Sequence, residues 1–132
     1  MARAETLSVN LEAPFERVWE FISDPRTLHL WTVDFAIEPP QLKSGEVYVV
    51  QTPRGQLELS IRANKESGVI DFNFGRDGRF RISPSRLLRN GEDACVYVFT
   101  QFEPPDAPAG LFERLVQNVR KEFEILAERF RS

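Results

Sequence analysis

The sequence predicts an α+β domain: an antiparallel meander of about seven strands, two short helices after the first strand, and one long C-terminal helix. Three observations carry this. Between Asp106 and Phe130, Leu111, Phe112, Leu115, Val116, Val119, Phe123, Leu126 and Phe130 fall within an arc of about 140° at helical spacing. From Val33 to Phe102 that period vanishes, and short alternating runs cut by Pro, Gly and Asn replace it. Ahead of them, Phe15, Val18, Trp19 and Ile22 recur at helical spacing directly after a strand-like run. A chain of 132 residues is the size of one domain.

Each element has its own signal. Glu5 to Glu12 puts Leu7, Val9 and Leu11 on one side and Ser8 and Asn10 on the other, the pattern of a half-buried strand. A helix follows with Pro14 in its first turn, and Ser23-Asp24-Pro25 ends it because the residue before a proline avoids the helical region. Asp24 can cap a second, brief helix from Pro25 that carries Leu28, Leu30 and Trp31. Strands are expected at Val33 to Ile37, stopped by Pro39-Pro40, and at Glu46 to Thr52. Turns at Pro53-Arg54-Gly55, Lys65 to Gly68, Gly75 to Gly78 and Asn90-Gly91 then lead into Gln56 to Ala63, Val69 to Phe74, Phe80 to Leu88 and Ala94 to Phe102. Loops this short force antiparallel pairing. The last helix is expected to begin at Asp106 as its cap, with Pro108 where a missing N–H costs nothing, and Arg120, Lys121, Arg129 and Arg131 lie toward its negative end. Burying its apolar stripe is worth roughly 1.5 to 3 kcal/mol per side chain before entropy is subtracted, so it has to lie along a broad apolar surface.

Composition excludes several classes. No apolar run approaches the roughly 20 residues that cross a bilayer, so membrane insertion is not expected. A net charge of −3 offers no field to attract phosphate backbones, which argues against nucleic acid as the main partner. The opening residues lack the apolar segment of a secretory signal and Cys95 stands alone, so a cytoplasmic location is expected. Eleven phenylalanines against two tyrosines point to a large interior with few polar handles.

The order strand, two short helices, meander and long helix resembles the helix-grip fold of the START and Bet v 1-like superfamily. The segment Val9 to Pro25 with its Ala13-Pro14, Val18-Trp19 and Asp24-Pro25, then Trp31, and Phe102-Glu103-Pro104-Pro105 before the last helix, are similar to the opening and closing motifs of polyketide cyclase/dehydrase-like members. The resemblance implies a curved sheet gripping the long helix, the short helices plugging one end, and an apolar cavity between.

Candidate chemistry is sparse. His29 is the only histidine and has no partner in the sequence, and Cys95 has no His or Asp at a recognisable spacing, so neither is expected to be catalytic. One His and one Cys do not make a metal site, and no metal or cofactor is expected. Arg76, Arg79, Arg81, Arg86 and Arg89 crowd one hairpin, where a solvated face paired with Asp71 and Asp77 is the plain reading. If Phe80 and Ile82 face outward, Arg81 points inward as a polar cavity handle. Taken with this resemblance, the set Trp31, Phe35, Phe72, Phe74, Phe112 and Phe123, with Val116 and Val119 from the helix stripe, is expected to line a ligand site together with Arg81. The function expected is binding of a hydrophobic small molecule, lipid-like or otherwise. A cyclase or dehydratase-type enzyme is the alternative. A protein-interaction module, or a homodimer through the outer face of the sheet, is the third, raised by Tyr97 and Phe99 lying opposite Val96 and Val98 on their strand.

Overall fold

The structure, a computed structural model, describes residues 2–131. Strand β1 (Ala4–Leu11) leads into helix α1 (Phe15–Ile22), a single 3-10 turn (Pro25–Thr27) and the one-turn helix α2 (Leu28–Trp31). Strands β2 (Gln41–Ser44), β3 (Val47–Thr52), β4 (Gly55–Asn64), β5 (Val69–Arg76), β6 (Arg79–Arg89) and β7 (Cys95–Phe102) follow, and helix α3 (Leu111–Arg129) closes the chain. All seven strands form one antiparallel sheet in the order β1-β7-β6-β5-β4-β3-β2. The first strand therefore pairs with the last, Leu7 opposite Phe99 and Leu11 opposite Cys95, while the meander runs away from it on the other side. The curved sheet is α+β in class, with α3 on its concave face. Where β5 turns into β6, a Cβ on Gly75 would lie 2.0 Å from the carbonyl oxygen of Arg79, so only glycine lets the two backbones come so close. No helix among the described residues is long and apolar enough to cross a membrane.

Three expectations are corrected. Val33 to Ile37 is not a strand. Asp34 adopts a left-handed conformation with φ 56°, and the segment's N–H groups find partners outside any ladder. Val33 donates to Glu122 Oε2 at 2.8 Å, Ala36 to Thr32 Oγ1 at 3.4 Å and Ile37 to the Gln51 carbonyl at 3.0 Å. The early strand lies instead just past Pro39-Pro40, as the exposed edge strand β2, whose pairing with β3 is interrupted between Leu42 and Ser44. Likewise α3 begins five residues after Asp106. Asp106 and Gly110 both have positive φ, and Gly110, at φ 86°, occupies the position before the first turn without a side-chain cap. Asp106 and Pro108 belong to the loop that brings the chain back across the sheet. Pro14 similarly precedes α1 rather than lying inside it. At Asp24 the expected cap is present, its carboxylate accepting from the Arg26 N–H at 3.0 Å.

One end of the interior is packed solid. Leu11, Val18, Ile22, Leu87, Cys95 and Leu126 are each no more than 1% exposed, and α1, β1, β7 and the C-terminal half of α3 meet there. Tyr97 belongs to this inner face and is fully buried, so the outer face of β7 carries the half-buried Val96 and Val98.

Candidate functional site

The other end of the interior is hollow. A cavity of about 530 Å³, partly open to solvent, lies between the N-terminal half of α3, the segment 31–35 and the inner face of β4, β5 and β6. That volume lies within the usual range for small-molecule sites. Helix α3 faces it with one row of side chains. At about 100° per residue, Leu111, Leu115, Asn118 and Glu122 share an arc of about 60°, and Val119 borders them. Phe112, Val116 and Phe123 lie on the adjoining row and do not line the cavity. The Arg3 guanidinium lies 4.7 Å from the ring centroid of Phe112, Phe123 packs against Tyr97 at 5.8 Å, and all three helix residues are buried in the solid half. Of the residues expected at the site, the structure gathers Trp31, Phe35, Phe72, Phe74, Arg81 and Val119 around one space. Trp31 packs on Phe72 at 6.4 Å and on Tyr97 at 6.2 Å, and Phe35 sits edge-on to Phe74 at 5.6 Å. His29 is half-buried on α2 and outside the lining. Cys95 is buried in the solid half, where burial raises its thiol pKa and keeps it unreactive.

Polar groups that the sequence reading passed over cluster at one corner. Glu122 accepts from the Val33 N–H, and Asn118 Nδ2 donates to Asp34 Oδ2 at 3.3 Å. Burial pushes the Glu122 carboxyl up to about 8, the nearby charge of Asp34 adds to the shift, and the Val33 N–H opposes it. At neutral pH this is a carboxylic acid facing the cavity. Burial also raises the phenol of Tyr97, whose hydroxyl, like Trp31 Nε1, has no hydrogen-bond partner among the described residues. The signal for Glu122 was in the sequence: it falls between Leu111 and Leu115 inside the apolar arc, four residues after Asn118.

Four arginines complete the lining: Arg54, Arg76, Arg81 and Arg114. Phe80 and Ile82 are 44% and 53% exposed, and Arg81 lies opposite Phe74 on the inner face. Arg76 donates to the Arg54 carbonyl at 3.2 Å, and Arg54 to the Asp34 carbonyl at 3.4 Å. The expected pairing of the hairpin arginines with Asp71 and Asp77 is not seen among the described residues. Arg86 donates instead to the Ser67 carbonyl, and Arg89 pairs with Glu16 at 3.1 Å.

The fold recurs in solved structures. An uncharacterized protein of Bacillus thuringiensis matches with a TM-score of 0.76 and 16% identity over 98% of this chain and 100% of that one. A START superfamily protein of Mycobacterium smegmatis matches with a TM-score of 0.68 and 10% identity over 96% of each chain. This is the START-like helix-grip fold. A protein of the dynemicin biosynthetic locus carries it too, with a TM-score of 0.66 and 18% identity over 95% of this chain and 46% of that one. No protein-family model and no curated protein matches the sequence. At these identities the likeness fixes the helix-grip architecture and leaves function to be argued from the cavity.

Proposed function

We propose that this helix-grip protein binds a hydrophobic small molecule between the sheet and α3, with Trp31, Phe35, Phe72, Phe74, Leu115 and Val119 forming the apolar wall. The observation that carries this is the hollow itself, because close-packed interiors hold few voids larger than a water molecule and this one reaches about 530 Å³. Each methylene moved from water into such a wall contributes about 0.8 kcal/mol, roughly a fourfold gain in affinity. The test is displacement of the neutral dye N-phenyl-1-naphthylamine by straight-chain alkanols. Affinity is expected to climb by roughly that factor per methylene and then level off when the cavity is full. A dye that fails to bind, or displacement insensitive to chain length, refutes the reading.

Glu122 supports a second reading, an enzyme of the cyclase or dehydratase kind. A protonated carboxyl beside a polar corner can give a proton to a bound carbonyl or hydroxyl. Its signature is a turnover that Glu122→Gln abolishes while dye binding persists.

A further inference from the structure

We infer that the ligand is an amphipathic anion, its apolar body on the aromatic wall and its acidic group held at the mouth of the cavity by Arg81 and Arg114. This rests on the binding reading above and narrows it. The lining is divided along its length. Glu122 and Trp31 mark the inner end, and Arg114 lies eight residues earlier on α3, about 12 Å away along the helix axis. Arg81 lies four residues before Ser85 on β6, about 13 Å toward the same mouth. An apolar body with one polar end matches a cavity built this way.

The two arginines are also free. Neither makes a side-chain hydrogen bond or ion pair among the described residues. Acids on the neighbouring loop and helix are already engaged, since Arg3 holds Glu103 and Glu113, each at 2.7 Å. Asp77, in the turn of the β5–β6 hairpin, makes no pair among the described residues. The carboxyl groups on the lining are Asp34 and Glu122, set against four arginines, Arg54, Arg76, Arg81 and Arg114.

The sheet leaves room for a head group at this place. The β6–β7 ladder ends at Ser85 opposite Phe99, yet β6 extends back to Arg79 while β7 runs on to Phe102 paired with β1 alone. The strands part, and Arg81, Ser83 and Gln101 line the cavity along the gap. A guanidinium presents its donors as a planar fork that a carboxylate or phosphate accepts two at a time, and the same fork gains little from a neutral hydroxyl. Carboxylate and phosphate monoester share this chemistry.

Displacement of N-phenyl-1-naphthylamine by decanoate, decyl phosphate and 1-decanol tests the inference, since the three share a tail and differ in the head. Decanoate or decyl phosphate is expected to compete at least tenfold better than the alcohol, and the better of the two identifies the head group. In the double variant Arg81→Gln, Arg114→Gln that advantage should shrink to within about twofold, with the neutral dye binding as in the parent. The dye reports that the variant is folded and the cavity intact. Retention of the advantage by Arg81→Lys, Arg114→Lys would show that charge at these positions suffices. Dye binding with no preference for either anion, or a preference that survives the glutamine variant, overturns the inference while leaving the binding reading standing; no dye binding by the parent overturns both.

Discussion

Helix α3 serves two interiors that differ in kind. Along one row, Phe112, Val116 and Phe123, joined one turn on by Leu126, meet β1, β7 and α1 in a core where side chains are almost wholly excluded from water. Along the next, Leu111, Leu115, Asn118 and Glu122 look into open volume. The two rows are about one residue of helical rotation apart. The solid half contributes stability through dispersion and burial, and the hollow half forgoes that gain and holds the polar groups. A helix-grip domain of this size therefore concentrates its folding free energy at one end and leaves the other free for binding. Paired substitutions can break this contrast.

The largest effect should come from leucine truncation. Leu126→Ala removes a side chain with 0% exposure and leaves a hole in close-packed surroundings, which costs about 2 to 5 kcal/mol. Leu115→Ala, half-buried on the cavity row, only enlarges a void that already exists and should cost about 1 kcal/mol or less. Chemical denaturation measures both. Equal losses would mean that the two halves are packed alike.

Next in size is a pH effect at Glu122. Its folded pKa of about 8 stands above the ordinary carboxyl value of 4.5, so between these values the folded state keeps a proton that the unfolded chain gives up. Stability is then fully present below about pH 4.5 and falls as pH rises toward 8. The charged groups sharing its cavity wall are Asp34, which deepens the effect, and Arg54, Arg76, Arg81 and Arg114. Glu122→Gln keeps an acceptor for the Val33 N–H and cannot ionise. It should be more stable than the parent at pH 9 by on the order of 1 to 3 kcal/mol, a range discounted for water reaching the cavity, and nearly equal at pH 5. Melting curves at the two pH values decide this, and a difference that does not change with pH would remove Glu122 from the list of buried acids.

These two halves were unequally legible. The meander, the short helices and the α3 stripe follow from local periodicity and turn residues, which act over a few residues and are written in the chain. Val33 to Ile37 looked like a strand because its apolar content matches one; what removes it is a left-handed Asp34 and donors captured by Glu122 and Gln51, partners many residues away. The cap at Asp106 failed for a related reason, since the loop needs positive φ at Asp106 and Gly110 to return across the sheet. Periodicity found one apolar arc on α3 but could not show where packing stops along it. Hence Phe112, Val116 and Phe123 were grouped with the lining and Asn118 and Glu122 were not.

Val119 lies between the rows and probes their border. It is 3% exposed yet touches the cavity, so Val119→Trp can direct its indole into the open side. The melting temperature should stay within a few degrees of the parent while N-phenyl-1-naphthylamine binding is lost. In a filled interior the same insertion would cost about 1 to 3 kcal/mol or more, and a melting temperature lowered by about 5 °C or more would place Val119 in the solid half.

The smallest effect is optical and reads both halves at once. Trp19 stacks on Phe15 at a centroid distance of 5.6 Å, on α1 and away from the cavity, whereas Trp31 forms part of its wall. Both are buried, at 7% and 3% exposure, so their resting emission should be similarly blue. A ligand that fills the void changes the surroundings of Trp31 alone, replacing cavity space on one side of the ring with apolar contacts. With Trp19→Phe, which leaves Trp31 as the reporter, saturating decanol should shift or quench the emission by a measurable fraction. With Trp31→Phe, which leaves Trp19, the spectrum should hardly move. Tyr97 touches Trp31 at 6.2 Å and continues to Phe123, so a change transmitted into the solid half would reach Trp19 only by disturbing that packed chain of rings. A response confined to Trp19 would locate the binding site at the α1 end and reverse the assignment of the two halves.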